Sequence, residues 1–253
     1  MYESNANITL SINNKIATVT FYHPASNSFT SQMLIDLTNQ FDDLSKNNLV
    51  NVIVLQSKGE GAFCAGASFD ELVAITNFEE GKQFFSGFAN VLNAMLKCSK
   101  LIVGRVHGKT VGSGVGLASA CDYVFATANA DVKLSEIAIG IGPFVIEPAV
   151  SRKIGATAFS QLTLTPNTWQ TANWANKNQL FTEIFETTGQ LDQSLNKFVE
   201  NLATYNPNAL LEIKNVFWQN TSNWETLLIQ RAEISGQLVL SDFTKNALNQ
   251  FKK

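Results

Sequence analysis

RVHGKTVGSGVGLASACDY, residues Arg105 to Tyr123, is the stretch on which the reading of the whole chain turns. It closes an apolar run, Leu101 to Val106, that has the β-branched character of a buried strand. It then loosens at Gly108, Gly112, Gly114 and Gly116, and continues into small and apolar residues of helical character. A strand, a glycine bend and a helix start leave backbone N–H groups at the positive end of a helix dipole, where they can bind a negative oxygen. Taken alone, a glycine-rich bend is more often a turn or a close-packing device than an anion site. A second element must therefore support the assignment.

Working outward towards the N-terminus, Ile8 to Ile12 and Ile16 to Tyr22 alternate apolar and polar residues around Asn13-Asn14, which predicts a β-hairpin. His23-Pro24 ends the second strand. Ser28 to Thr30 supply capping residues for a helix to about Leu44, with Met33, Leu34, Leu37, Phe41 and Leu44 at helical spacing. Val50 to Gln56 reads as a buried strand. The loop SKGEGAFCAGAS follows it, then a short helix from Phe69 to Ala74 and a longer one from Glu79 to Cys98. Phe84, Phe85 and Phe88 on that helix are core or pocket wall, and Asp70 and Glu71 are expected to face solvent. Beyond the glycine bend, Asp122 to Ala126 and Val132 to Leu134 are two further short strands. A strand followed by a loop and a helix thus recurs three times, which predicts an α/β architecture of stacked strand–strand–helix turns. Spacing alone does not separate this from a doubly wound sheet.

From about Pro143 the pattern is helical: 144–153, 155–163 and 168–176, then a short strand near Leu180 to Phe185, then 188–204, 207–219, 223–239 and 241–250. Trp218, Trp224, Leu227, Leu228 and Leu238 are expected at subunit contacts. The chain divides into a core of 1–187 and a helical region of 188–253, with no low-complexity linker between them.

Composition narrows the function classes. A net charge of −3 over 253 residues, with only small basic clusters at Arg152-Lys153 and Lys252-Lys253, argues against a nucleic-acid partner. The N-terminus lacks the pattern of a secretory signal, and no apolar run reaches membrane-spanning length, so no membrane partner is expected. Cys64, Cys98 and Cys121 are scattered, without metal-ligand spacing, and fit a reducing cytoplasm. Cys64 has no histidine placed to activate it, and His23 and His107 are expected to be structural.

Two segments together carry a resemblance. One is FCAGASFDEL, Phe63 to Leu72. The other is HGKTVGSGVGLASACD, His107 to Asp122, followed by LSEIAIGIGP from Leu134 to Pro143. With HPASNSF at His23 to Phe29, they resemble the enoyl-CoA hydratase/isomerase (crotonase) superfamily from the first hairpin to at least Phe185. The resemblance implies an α/β spiral of ββα turns, followed by a C-terminal helical trimerisation region. It implies a homotrimer or dimer of trimers, an acyl-CoA thioester substrate and no cofactor beyond the CoA moiety. Two backbone N–H groups would hold the oxygen of an enolate-like anion. They fall on Ala67, beside Gly66, and on Ser113, between Gly112 and Gly114. Removing one such donor typically costs about 2.7–4 kcal/mol of transition-state stabilisation. Ala65 and Phe69 would lie along the CoA, and Phe251 with Lys252 or Lys253 would reach the CoA of a neighbouring subunit. Ser68 stands where the family usually has an acidic residue.

The same resemblance assigns acids. Hydratases of the superfamily use two glutamates across one water. Glu136 matches the second, whereas the first falls on Gly116, which has no side chain. A single carboxylate beside an oxyanion hole suits proton transfer between the α- and γ-carbons of an enoyl thioester, and the isomerases share a Pro-Phe after the glutamate, here Pro143-Phe144. Burial is expected to raise the Glu136 pKa. Glu147 is a candidate second acid, or a first-turn helix carboxylate favoured by the dipole. If it faces the pocket, hydration or lyase chemistry returns to contention. The rival from another class is a family member that binds CoA esters without catalysis.

Overall fold

The structure, a computed structural model, describes residues 6–250. It begins with the expected hairpin, β1 (Asn7–Asn13) antiparallel to β2 (Ile16–Tyr22). The turn is made by Asn14 and Lys15 at φ 48° and 66°, one residue later than the asparagine pair suggested. Ala17, Val19 and Phe21 of β2 are fully buried, the inward half of a period-two pattern. Helix α1 (Ser31–Lys46) starts where the Thr30 side chain accepts a hydrogen bond from the Met33 N–H at 3.3 Å. It buries the five residues whose spacing predicted it.

The strands β3 (Val52–Ser57), β4 (Leu101–Val106), β6 (Tyr123–Thr127) and β8 (Glu183–Phe185) extend the sheet in parallel, in the order β1-β2-β3-β4-β6-β8. Each strand adds to the same side as its predecessor. A doubly wound sheet reverses its order at a switch point; this one does not, and so advances as a spiral. The short strands β5 (Thr110–Val111) and β7 (Val132–Lys133) form a separate two-stranded parallel ladder. The helices between are α2 (Phe69–Ala74), α3 (Phe78–Lys97) and α4 (Ser113–Ala120). Glu71 of α2, expected to face solvent, is partly buried: its Oε2 accepts from the Ser31 N–H at 2.8 Å and the Ser31 hydroxyl at 2.6 Å, tying α2 to the start of α1.

The C-terminal third is helical: α5 (Glu147–Leu164), α6 (Ala172–Lys177), α7 (Thr188–Thr204), α8 (Pro207–Phe217), α9 (Trp224–Leu238) and α10 (Asp242–Gln250). The sequence divided 144–163 at residue 154; α5 is broken at Gly155, which has φ 75° and ψ 160°. Helix α6 starts four residues later than expected. Gln170 and Val132 exchange backbone hydrogen bonds at 2.8 and 2.9 Å, which holds that segment extended until Thr171 caps the helix. Helix α7 lays Leu191, Leu195, Val199 and Ala203 on the sheet face formed by Val52, Val54, Val103 and Phe125.

One expectation is corrected. Trp218, Trp224 and Leu228 are not surface residues awaiting a subunit; they belong to the core of this chain. Trp218 Nε1 donates to Asp122 Oδ1 at 2.7 Å, Trp224 meets its ring edge-on at 5.8 Å, and Arg152 lies over its face at 4.1 Å. Exposed apolar side chains in this region instead include Tyr205, Ile213, Val216 and Phe217.

The crossing of α3 and α9 positions the site. Gly81 and Gly236 meet backbone to backbone: a Cβ at Gly81 would lie 2.9 Å from the Gly236 Cα, and one at Gly236 would lie 2.7 Å from the Lys82 N. No side chain fits at either position without separating the helices. Among the described residues no helix is long and apolar enough to cross a membrane.

Candidate active site

The two glycine-bearing loops are bonded to each other. Phe63 N–H donates to Lys109 O at 2.9 Å and Val111 N–H to Cys64 O at 2.9 Å, continuing the ladder of β5 into the Cys64 loop. Glycines permit this approach. Gly66, at φ 92°, would place a Cβ 3.3 Å from Val111 O, and a Cβ at Gly114 would lie 2.8 Å from that of Cys64. Gly112, at φ 56°, turns the chain into α4. Ala67 and Ser113 line one cavity, a Cβ at Gly66 would lie 3.8 Å from Ser113 N, and neither the Ala67 nor the Ser113 N–H donates to a protein acceptor among the described residues. Small residues here let a ligand oxygen reach the main chain.

Glu136 opens the 3₁₀ turn Glu136–Ile139, which Gly140 ends in the left-handed conformation. Its carboxylate folds over Gly112, whose absent Cβ would lie 3.1 Å from Oε1. The residue as a whole keeps partial exposure, yet Oε2 is enclosed and has no hydrogen-bond partner among the described residues. That enclosed carboxyl end governs ionisation: burial raises the pKa to about 7, against a smaller opposing pull from the backbone N–H groups of Glu136 itself and Ser135.

These groups line a cavity of about 210 Å³. Ala65, Gly66, Ala67 and Phe69 form one wall, Gly112 and Ser113 the next, and Glu136 a third. The remainder is mostly apolar, including Phe84, Phe85 and Phe88 of α3 and Ile146 just before α5. These phenylalanines are both core and wall, since Phe84 and Phe88 are buried members of the core and Phe85 packs against it. Gly114 stays behind the lining, packed on Cys64. Phe251, Lys252 and Lys253 lie outside the described residues.

Two positions bear on the acid count. A Cβ at Gly116 would fall 2.3 Å from Ile146 Cγ2, so Ile146 occupies the space into which a side chain at that position would grow. Glu147 is not brought to the cavity lining. It sits at the first turn of α5 with Oε2 3.7 Å from Arg231 Nη2 of α9. The bystanders are equally plain. Burial pushes the Cys64 thiol up to about 12, which leaves it inert as a nucleophile. His107 is buried away from the cavity lining and its pKa is lowered, chiefly by burial. Sequence reasoning missed Ile146 and Ser235 as lining residues. The small pair Ser235-Gly236 within α9 was the signal available for the second.

Comparisons with known proteins bear on the fold and the family. Solved structures share the fold: an enoyl-CoA hydratase from Bacillus halodurans superposes with a TM-score of 0.89 at 19% identity, covering 96% of this chain and 99% of that one. An enoyl-CoA hydratase from Mycobacterium avium gives 0.84 at 23% identity, covering 100% and 97%. By sequence, the chain is 29% identical over 161 residues to a short-chain-enoyl-CoA hydratase of Clostridium acetobutylicum, covering 63% of this chain and 61% of that protein. It is 28% identical over 134 residues to an ethylmalonyl-CoA decarboxylase of Xenopus tropicalis, covering 52% and 44%. The aligned part thus spans about half the length of these relatives. The sequence pattern of the enoyl-CoA hydratase/isomerase family, by contrast, matches residues 11–252. Spiral sheet, paired loops and family pattern coincide on one stretch of chain, and the protein belongs to the enoyl-CoA hydratase/isomerase family.

Proposed function

We propose that this family member isomerises an enoyl-CoA thioester, with Glu136 as its one proton-moving carboxylate. Glu136 takes a proton from the α-carbon of a 3-enoyl-CoA. The electron pair moves onto the thioester oxygen, which the Ala67 and Ser113 N–H groups hold. The proton then returns from Glu136 to the γ-carbon, the 3,4 double bond becomes a 2,3 bond, and no atom is gained or lost. The observation that carries this reading is the packing of Ile146 over Gly116, which leaves a single carboxyl in the cavity among the described residues. Ala65 and Phe69 would lie along the CoA, with Phe251 and Lys252 of a neighbouring subunit. The exposed apolar set on α8 supports assembly as a homotrimer or dimer of trimers. No cofactor beyond the CoA moiety is required.

Hydration is the second reading, favoured by the names of several relatives. Absorbance of the conjugated enoyl thioester separates the two. A gain with a 3-enoyl-CoA is the expected result, and loss of signal with a 2-enoyl-CoA would mean hydration. No change with either, despite binding of the ester, would favour a non-catalytic role. The pH profile supplies an independent check. A base works ionised, so kcat/KM is expected to rise about tenfold per pH unit below the Glu136 pKa and level off above it. With that pKa at about 7, the bend should lie near neutrality. A profile flat from pH 5 to 8 would overturn the role given to Glu136.

A further inference from the structure

Ser235 reaches the same cavity from α9. Its residue is 1% exposed, and its Oγ has no hydrogen-bond partner among the described residues. A buried polar group left unpaired costs about 1–3 kcal/mol, so a serine here calls for a physical reason. Small size is not sufficient. The α3–α9 crossing demands glycine at 236, but at 235 an alanine would be as small and would bury no orphan oxygen. Nor does the hydroxyl satisfy itself in the way helical serines and threonines usually do, on the carbonyl one turn back. Elsewhere in this chain that bond is made: Ser119 Oγ donates to Val115 O at 2.7 Å and Thr38 Oγ1 to Leu34 O at 2.8 Å. Ser235 makes no such bond to Arg231 O.

The walls around it narrow the choice of partner. Among the described residues the cavity lining contains no lysine, arginine or histidine, and the one ionisable group there is Glu136. A carboxylate on the ligand would therefore be buried without a counter-charge and beside an acid. A purely hydrocarbon ligand would leave the Ser235 oxygen unpaired. A neutral oxygen fits both constraints, because a hydroxyl donates as well as accepts.

Resting on the reading that this cavity takes the acyl chain of a CoA ester, we propose that Ser235 is a specificity residue. Its Oγ hydrogen-bonds a hydroxyl or keto oxygen carried on the acyl chain, so the preferred substrates are oxygenated acyl-CoA esters rather than plain hydrocarbon ones. The helix that closes the acyl cavity thereby reads the chain's chemistry at a site separate from the proton-transfer machinery.

The test uses saturated esters, which bind without reacting. Dissociation constants for hexanoyl-CoA, 4-oxohexanoyl-CoA, 5-oxohexanoyl-CoA and 6-hydroxyhexanoyl-CoA are measured by calorimetry on the wild type and on Ser235→Ala. At least one oxygenated ester is expected to bind the wild type about tenfold or more tightly than hexanoyl-CoA, the fold equivalent of pairing one buried polar group. Ser235→Ala should lose that preference while its Tm stays equal or rises. Equal affinity for all four esters, or a preference that survives in Ser235→Ala, would overturn the proposal and leave the acyl-CoA reading intact. Binding of none of them would overturn the acyl-CoA reading itself. Should the variant fail to fold, the wild-type comparison decides alone.

Discussion

Glu136→Gln is expected to lower kcat by about 10²–10⁴-fold, the range a positioned acid–base group contributes, while making the folded protein more stable at pH 8. The two effects share one cause. Burial raises the Glu136 pKa from 4.5 to about 7, so the native state holds its proton where an unfolded chain has released it. Between those values the native state binds more protons than the unfolded state, and stability falls as pH rises. The burial penalty is absent below pH 4.5, grows through the interval and is complete above about 7. Its full size is on the order of 3 kcal/mol at 1.36 kcal/mol per pKa unit. Glutamine keeps the shape and never ionises. It should recover about 1–2 kcal/mol of this above pH 7, less than the whole because its amide also lacks partners. Urea unfolding at pH 5 and pH 8, beside the absorbance assay, measures both. Full activity, or a stability difference independent of pH, would contradict the role assigned to this carboxyl.

The second large effect is expected at Gly116. Gly116→Glu should destabilise the fold by on the order of 4 kcal/mol, combining an overpacked contact with a carboxyl buried without a partner. At this chain length that lowers Tm by about 10 °C. The cause is Ile146 Cγ2, 2.3 Å from the position of the new Cβ. The doubly substituted Gly116→Glu/Ile146→Ala should be more stable than the single variant, because the new side chain then enters vacated space. It should also begin to hydrate a 2-enoyl-CoA. A single variant with wild-type Tm would show that Ile146 yields easily, and the one-carboxylate argument would lose its steric basis. Thermal melts of the three proteins decide this before any assay is run.

Both predictions depend on positions of unequal legibility in the sequence. The hairpin, α1 and the parallel strands were readable because their patterns are local: alternation in β2, five apolar residues at helical spacing in α1. The start of α6 was not, because Gln170 is held extended by Val132, 38 positions away, a pairing no local pattern encodes. Trp218 and Trp224 were misjudged for a related reason. Large aromatics late in an amphipathic chain suit an interface or a core equally well, and the choice depended on Asp122, nearly a hundred positions earlier, accepting the indole N–H. At the site, the loops and Glu136 stood out through their glycines and order. The absence of a side chain at Gly116 was also visible. That Ile146 fills the gap, and that α9 contributes Ser235, follow from how distant helices pack.

The enclosure of Glu136 Oε2 carries a further consequence for the fate of the hydrogen it takes. A carboxylic acid formed there has no protein oxygen or nitrogen to which that atom can pass its proton among the described residues. If return to carbon outruns exchange with solvent, the hydrogen delivered to the γ-carbon is the one removed from the α-carbon, on the same molecule and on the same face. Isotope placed on the substrate would then stay with it through turnover. The site would act as a carrier with a memory of one atom rather than as a port to the solvent proton pool.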